Sequence, residues 1–127
     1  MITFHYIESG HYVHAVVTSP VGLNDFRQAF RDISQLEGWN LQCKELWNML
    51  ALSKDDLNFD FVELINLARV EQATKSVDSG TKTAVLATDS FIKEIVKEYE
   101  IISIETGLMS KIFDDEQLAL EWLLSDG

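Results

Sequence analysis

Three histidines lie close together near the N-terminus, where they could hold a metal ion. His5 and His14 fall on two segments predicted as adjoining strands, and His11 falls at the turn between them. Three imidazoles with water as a fourth ligand can form a zinc site. The register of this hairpin is not set by the sequence, however, and neither an HxH nor an HExxH spacing is present. We therefore predict no metal site and place a small metal-dependent enzyme last among the functions considered.

The single cysteine, Cys43, could be a nucleophile, but its neighbours Gln42, Lys44 and Glu45 supply no obvious base. Ser19 does not lie in a Gly-x-Ser-x-Gly elbow, and the GxGxxG and GxxxxGK[ST] motifs are absent from the sequence. One cysteine excludes an internal disulfide, which fits a reducing compartment. We predict a structural thiol, no catalytic residue, no cofactor and a cytoplasmic location.

Two pairs of neighbouring carboxylates, Asp55–Asp56 and Asp114–Asp115, could serve in acid–base chemistry or bind a divalent cation. Both pairs precede predicted helices, where carboxylates accept hydrogen bonds from free backbone N–H groups. Asp114 and Gln117 also have the spacing of a capping box. Helix capping is therefore the favoured interpretation of Asp114 and Asp115, with Asp114 beginning the helix.

The hydrophobic pattern predicts the elements that would position these groups, in the order ββαβαβαβα. Strands are predicted at residues 2–8, 12–18, 45–52, 83–88 and 110–113. The first helix is predicted to be capped by Asn24 or Asp25 and followed by Gly38, and the second to run from Phe61 to about Ser76. Thr88, Asp89 or Ser90 would cap the third helix, which ends near Gly107 unless residues 101–106 are extended.

This order predicts a single α/β domain over residues 1–127, with a mixed sheet and right-handed crossover helices. The apolar strand at residues 83–88 is expected to be central and parallel. A hydrophobic content of 46% is sufficient for a core. The net charge of −11, with scattered lysines and arginines, disfavours nucleic acid and anionic membranes as partners. No apolar run approaches the roughly 18 residues of a membrane span.

Two segments carry a resemblance to a known family: the strand Lys82–Ala87 (KTAVLA) and the closing stretch Lys111–Leu123 (KIFDDEQLALEWL). With the element order, they resemble the STAS-like domains and, more narrowly, their SpoIIAA-like branch. The resemblance implies a small cytoplasmic α/β domain used for protein contacts or small-ligand binding. In the anti-sigma-antagonist branch a partner kinase phosphorylates a serine at the start of the second helix. The Asp-Ser-Ser-Gly-type motif of that branch is absent here, and the corresponding segment offers Ser53 as the candidate.

A site would be expected at the carboxyl ends of the parallel strands, because ligands of open α/β sheets bind there. The segments at that edge are residues 18–24, 52–58 and 88–91. Their candidate ligand or partner contacts are Thr18, Ser19, Asp55, Asn58, Thr88, Asp89 and Ser90. Trp39 is a further candidate for partner contact if it is exposed, and otherwise a lid on one end of the core.

The sequence therefore predicts a non-catalytic regulatory or protein-interaction module that contacts a protein partner or a second copy of itself. The alternative is a binding or sensor domain for a small molecule, either a nucleotide or an apolar ligand, at the strand-end edge.

Overall fold

Within the described residues, five strands form one mixed sheet whose spatial order follows the chain. The computed structural model describes residues 1–40, 42–57, 59, 62–64, 66–67, 82–106 and 109–125; of residue 99 and residues 102–106 it describes the backbone alone. The strands are β1 (Ile2–Ile7), β2 (Tyr12–Val17), β3 (Lys44–Asn48), β4 (Lys82–Leu86) and β5 (Met109–Phe113). β1 is antiparallel to β2, and the other neighbouring pairs are parallel.

The helices occupy both faces of this sheet. They are α1 (Leu23–Ile33), α2 (Ser90–Thr106) and α3 (Glu116–Leu123), and residues 62–64 and 66–67 are also helical. Short 3-10 turns lie at Glu8–Gly10 and Lys54–Asp56. The predicted mixed α/β fold is confirmed, whereas much of the helix predicted from Phe61 to Ser76 lies outside the described residues.

Two hydrophobic clusters identify the faces. The parallel strands β2 to β5 lie side by side in chain order. Right-handed connections between them therefore place α1 and α2 on the same face of the sheet. The front face of the sheet carries Val13, Ala15, Val17, Trp47 and Val85, which pack against Phe26, Ala29 and Ile33 of α1 and Ile92 and Val96 of α2. The back face carries Leu46, Ala84 and Leu86, which pack against Ala119 and Leu123 of α3. β3 and β4 are therefore covered on both sides.

Helix ends differ by a few residues from the prediction. α1 begins at Leu23, and Asp25 lies in its first turn, where the carboxylate accepts a hydrogen bond from the Gly22 N–H at 2.7 Å. Asn24 and Asp25 are therefore not the cap residue. α1 ends at Ile33, and Gly38 adopts a left-handed φ of 92° in the turns that follow rather than at the helix end.

The ends of α2, α3 and β3 also agree only in part with the prediction. Asp89 begins α2 by accepting hydrogen bonds from two backbone N–H groups, and α2 continues to Thr106, so the extended alternative for residues 101–106 is wrong. The cap of α3 is Asp115, not Asp114; its carboxylate accepts from the Gln117 N–H at 3.0 Å. β3 ends at Asn48 and not at residue 52, because the Asn48 side chain accepts from the Leu50 N–H and starts a turn.

A buried lysine ties the C-terminal helix to the back face. Lys82 is 4% exposed, and its Nζ donates to the Trp122 carbonyl at 3.0 Å and to the carbonyl and hydroxyl of Ser125 at 2.9 and 2.8 Å. A cation at this end of a helix also meets the negative end of the helix dipole. None of the helices in the described ranges is both long enough and apolar enough to cross a membrane.

Candidate functional site

A cavity of about 70 Å³ lies between the front face of the sheet and the helices that cover it. We call it the front cavity. It is lined by Phe26, Phe30, Glu45, Trp47, Met49, Leu52, Leu57, Leu64, Thr83, Val85, Ile92, Ile95 and Val96. β3 and β4 form its floor, and α1 and α2 form its sides. Almost all of this lining is apolar, so the cavity is suited to an apolar guest.

Two polar side chains lie on the floor of the front cavity. Glu45 is 3% exposed and Thr83 is 6% exposed, and the two are direct neighbours across β3 and β4. Glu45 shares the front face with Trp47, because alternate residues of a strand point to the same side. The Trp47 Nε1–H donates to Glu45 Oε1 at 2.7 Å. A buried carboxylate costs free energy unless it is hydrogen-bonded, and the bond from Trp47 meets part of that requirement.

Aromatic rings form one wall of the front cavity. The ring of Trp47 lies 6.2 Å from that of Phe26 and 5.5 Å from that of Phe30, measured between centroids. The Phe26 and Phe30 rings lie 6.4 Å apart. The faces of such rings carry partial negative charge. The three rings therefore form an aromatic wall beside the Glu45 carboxylate.

The mouth of the front cavity is formed by lining residues that are partly exposed: Phe30, Met49, Leu57 and Leu64. Met49 directly follows β3, and Leu52 and Leu57 belong to the segment at residues 52–58 that the sequence places at the strand ends. The front cavity therefore opens near the predicted edge of the sheet. Glu45, Thr83 and the aromatic wall were not among the predicted site residues.

Polar residues beside this edge form a hydrogen-bonded cluster. The Asp56 carboxylate accepts from the Ser53 N–H at 2.7 Å and from the Ser53 hydroxyl at 3.2 Å. These bonds and one from the Ser19 side chain lower the pKa of Asp56 below its usual value. A parallel bridge between Val21 and Leu57 holds the two segments together. The structure thus brings Ser19 and Ser53 together and gives Ser53 a role as the cap of a 3-10 turn.

The other predicted contact residues are dispersed. Thr18 donates its N–H to the Met1 carbonyl at 2.8 Å, while Asp55, Thr88 and Ser90 are exposed. Asp89 caps α2, and Asn58 lies outside the described residues. Trp39 is partly exposed and packs against the front cluster, as expected of a lid; its buried Nε1 has no hydrogen-bond partner among the residues that the structure describes.

The three histidines do not converge. His5 and His14 lie opposite each other on β1 and β2, with ring centroids 5.6 Å apart, and His14 Nε2 is 3.7 Å from Glu116 Oε1. His11 instead contacts the Tyr6 hydroxyl at 2.7 Å and the Asn40 side chain at 2.9 Å. In the described part of the chain, no group of three His, Cys, Asp or Glu side chains is arranged to hold a metal ion.

The remaining sequence candidate, Cys43, is buried, and its Sγ lies 3.6 Å from the Lys44 carbonyl oxygen. Burial is the main cause that raises the pKa of the nearby Tyr6 hydroxyl, and Cys43 and Glu8 add to this effect. The thiol is enclosed by the front cluster, consistent with packing.

Comparison with known proteins identifies the fold. No protein-family model matches the chain, and neither does any curated protein. A solved structure does match: an uncharacterized protein of the DUF3478 family from Shewanella loihica PV-4, described as having a SpoIIAA-like fold. The TM-score is 0.62, the sequence identity is 16%, and the match covers 97% of this chain and 92% of that one. The chain therefore has a SpoIIAA-like fold, as its sequence resemblance implied.

Proposed function

We propose that this protein is a non-catalytic SpoIIAA-like module that binds a small apolar molecule in the front cavity. The observation that carries the proposal is the cavity itself, which combines an apolar lining with a buried polar pair, Glu45 and Thr83, on its floor. Small-molecule sites commonly have this composition, in which apolar walls supply affinity and a few polar groups set orientation. A nucleotide is a poorer match because its phosphates would meet a carboxylate.

The size of the front cavity limits the ligand. Its volume of about 70 Å³ is roughly half that of the ~150 Å³ engineered cavity that binds benzene. A narrow chain would therefore fit better than a ring, and the remainder of the ligand would extend through the mouth past Met49 and Leu57. Such a ligand would bury apolar surface at about 25 cal/mol per Å².

NMR titration of the ¹⁵N-labelled protein with n-hexanol tests the proposal. The expected result is saturable shifts of amide signals from residues lining the front cavity, such as Val85 and Ile92. Val96→Phe fills the space from α2 and should abolish these shifts while the spectrum remains that of a folded protein. The absence of saturable shifts in the parent protein up to the solubility limit of hexanol would contradict the proposal.

A second candidate is the regulatory or protein-interaction role that the family resemblance implies. The observation in its favour is the back face near β1, where Thr3 and His5 are exposed, while α3 packs on β3, β4 and β5. Light scattering after size-exclusion chromatography, combined with crosslinking, tests self-association through this surface. A dimer that Thr3→Arg converts to a monomer would support it, and a dimer unaffected by that change would place the contact elsewhere.

A further inference from the structure

We infer that the back face of the sheet binds a divalent transition-metal ion of the zinc type, with His14 and Glu116 as its first two ligands and His5 as the third. This site lies on the side opposite the front cavity, so the inference does not depend on the proposed function. It rests on three observations: an unpartnered imidazole nitrogen, its separation from a carboxylate oxygen, and a second imidazole beside the first.

The imidazole of His14 is the first observation. Val13 and Ala15 of β2 pack in the front cluster, so His14 between them points to the back face, where α3 lies. Its Nε2 atom is buried and has no hydrogen-bond partner among the residues for which the structure describes side chains. Buried polar atoms of proteins are normally paired with protein groups, water or an ion, so this nitrogen calls for a partner of that kind.

The separation of His14 from Glu116 is the second observation. His14 Nε2 lies 3.7 Å from Glu116 Oε1, beyond the range of a direct hydrogen bond, which ends near about 3.2 Å. Two ligand atoms that each lie about 2.1 Å from one tetrahedral ion are about 3.4 Å apart, close to the observed separation. Glu116 is the first residue of α3, and its side chain is 51% exposed, so it can move to admit an ion and adjust the remaining distance.

The position of His5 is the third observation. His5 is paired directly with His14 across β1 and β2, and the centroids of the two rings lie 5.6 Å apart. The Cβ atoms of directly paired residues are about 4.5–5.5 Å apart, so both imidazoles can reach one ion. The three side chains do not surround a common point in the structure, so the ring of His5 must turn toward His14 Nε2 when the ion binds. The exposure of His5 allows this rotation.

The chemistry of the ligands selects the ion. Two imidazoles and one carboxylate form a ligand set typical of zinc and neighbouring transition metals, with water completing the coordination, whereas Mg²⁺ and Ca²⁺ prefer oxygen ligands. The net charge of −11 raises the concentration of cations near the surface. Because His14 lies on β2 and Glu116 on α3, the bound ion would join this helix to the sheet.

The test is titration of the purified protein with ZnCl₂, monitored by isothermal titration calorimetry and by NMR of the ¹⁵N-labelled protein. We expect saturable binding of a single ion, with shifts confined to residues near β1, β2 and the start of α3, and slower hydrogen exchange of the α3 amides. His14→Gln, Glu116→Gln and His5→Gln should each weaken zinc binding by at least about tenfold, since the loss of even an outer-shell partner has an effect of that size. An excess of Mg²⁺ should not displace the zinc ion.

Two matched controls make the test specific to this site. His11→Gln removes a histidine of the same hairpin that contacts Tyr6 and Asn40 instead, and Glu121→Gln removes one negative charge from an exposed position of α3. Neither control should change the zinc affinity by more than about threefold. Absence of saturable zinc binding, an unchanged affinity in any of the three ligand variants, or an equal loss in either control would overturn the inference. None of these outcomes affects the proposed function, which is tested by hexanol binding in the front cavity.

Discussion

Replacement of Lys82 by methionine should lower the free energy of unfolding by about 1.5–3 kcal/mol, because Lys82 fastens α3 to the sheet. Methionine keeps an unbranched apolar side chain in the same space, so most of the packing on the back face is retained. What is lost is the set of three hydrogen bonds from Nζ to Trp122 and Ser125. The Nζ group also lies 5.2 Å from the centroid of the Trp122 ring.

The magnitude follows from what happens to each partner of the ammonium group. A hydrogen bond to a charged group contributes about 1.5–3 kcal/mol, but Ser125 is exposed and its two acceptors can bond to water instead. The Trp122 carbonyl still accepts from the Ser125 hydroxyl at 2.7 Å. Removal of the buried charge also relieves a desolvation cost of several kcal/mol. The net loss is therefore equivalent to about one charged hydrogen bond rather than three.

Urea unfolding followed by far-UV circular dichroism measures this difference, and hydrogen exchange of the α3 amides shows whether the helix detaches first. Lys111→Met is the matched control, since Lys111 is exposed on β5 and its Nζ lies over the Phe113 ring at 5.5 Å. The control should lose no more than about 0.5 kcal/mol. A Lys82→Met variant within about 0.5 kcal/mol of the parent, or no less stable than Lys111→Met, would refute the anchoring role.

Three further predictions concern local features. Burial is the main cause that raises the pKa of Glu100 above its ordinary value of 4.5. The stability that protonated Glu100 contributes is therefore fully present below pH 4.5 and is lost as the pH rises through the folded-state pKa of this carboxyl. Thermal unfolding should therefore show Glu100→Gln equal to the parent near about pH 4 and more stable at about pH 7; an opposite trend would contradict the burial argument. Gly38→Ala should lower the free energy of unfolding by about 1–3 kcal/mol, because the φ of Gly38 is 92° and a Cβ there would lie 2.6 Å from the Tyr6 ring. Urea unfolding measures this loss, and an unchanged urea midpoint would show that the turn adjusts without cost. Ser53→Asp should lower the melting temperature by more than Ser53→Ala does, since the new carboxylate would face Asp56, which Ser53 now stabilises; equal melting temperatures would show that a negative charge is tolerated at residue 53.

The fold was largely predictable because its signals are local. The alternation of polar and apolar residues predicted β1 and β2, and a run of apolar residues predicted β4, which is buried along its whole length. Errors occurred where a single side chain ends an element, as at Asn48, whose bond to the Leu50 N–H stops β3. Apolar residues continue past that point, so the hydrophobic pattern alone extends the strand too far.

The front cavity was not predictable in the same way because it depends on register. Glu45 and Thr83 are 38 positions apart in the chain and become neighbours through the pairing of β3 with β4. One signal was available in the sequence: Glu45 alternates in phase with Trp47, so a charge falls on a core-facing position. The same holds for Lys82, which alternates with Ala84 and Leu86, but its acceptors lie in the last turn of α3 and just after it, far along the chain.

The two buried charges, Lys82 and Glu45, differ in their surroundings. All three N–H donors of Lys82 are directed at acceptors that follow or end α3, so its burial is explained by the stability of the fold. Glu45 is buried as deeply, but it lines the front cavity beside aromatic rings. Lys82→Met should therefore reduce stability and leave hexanol binding in the front cavity unchanged.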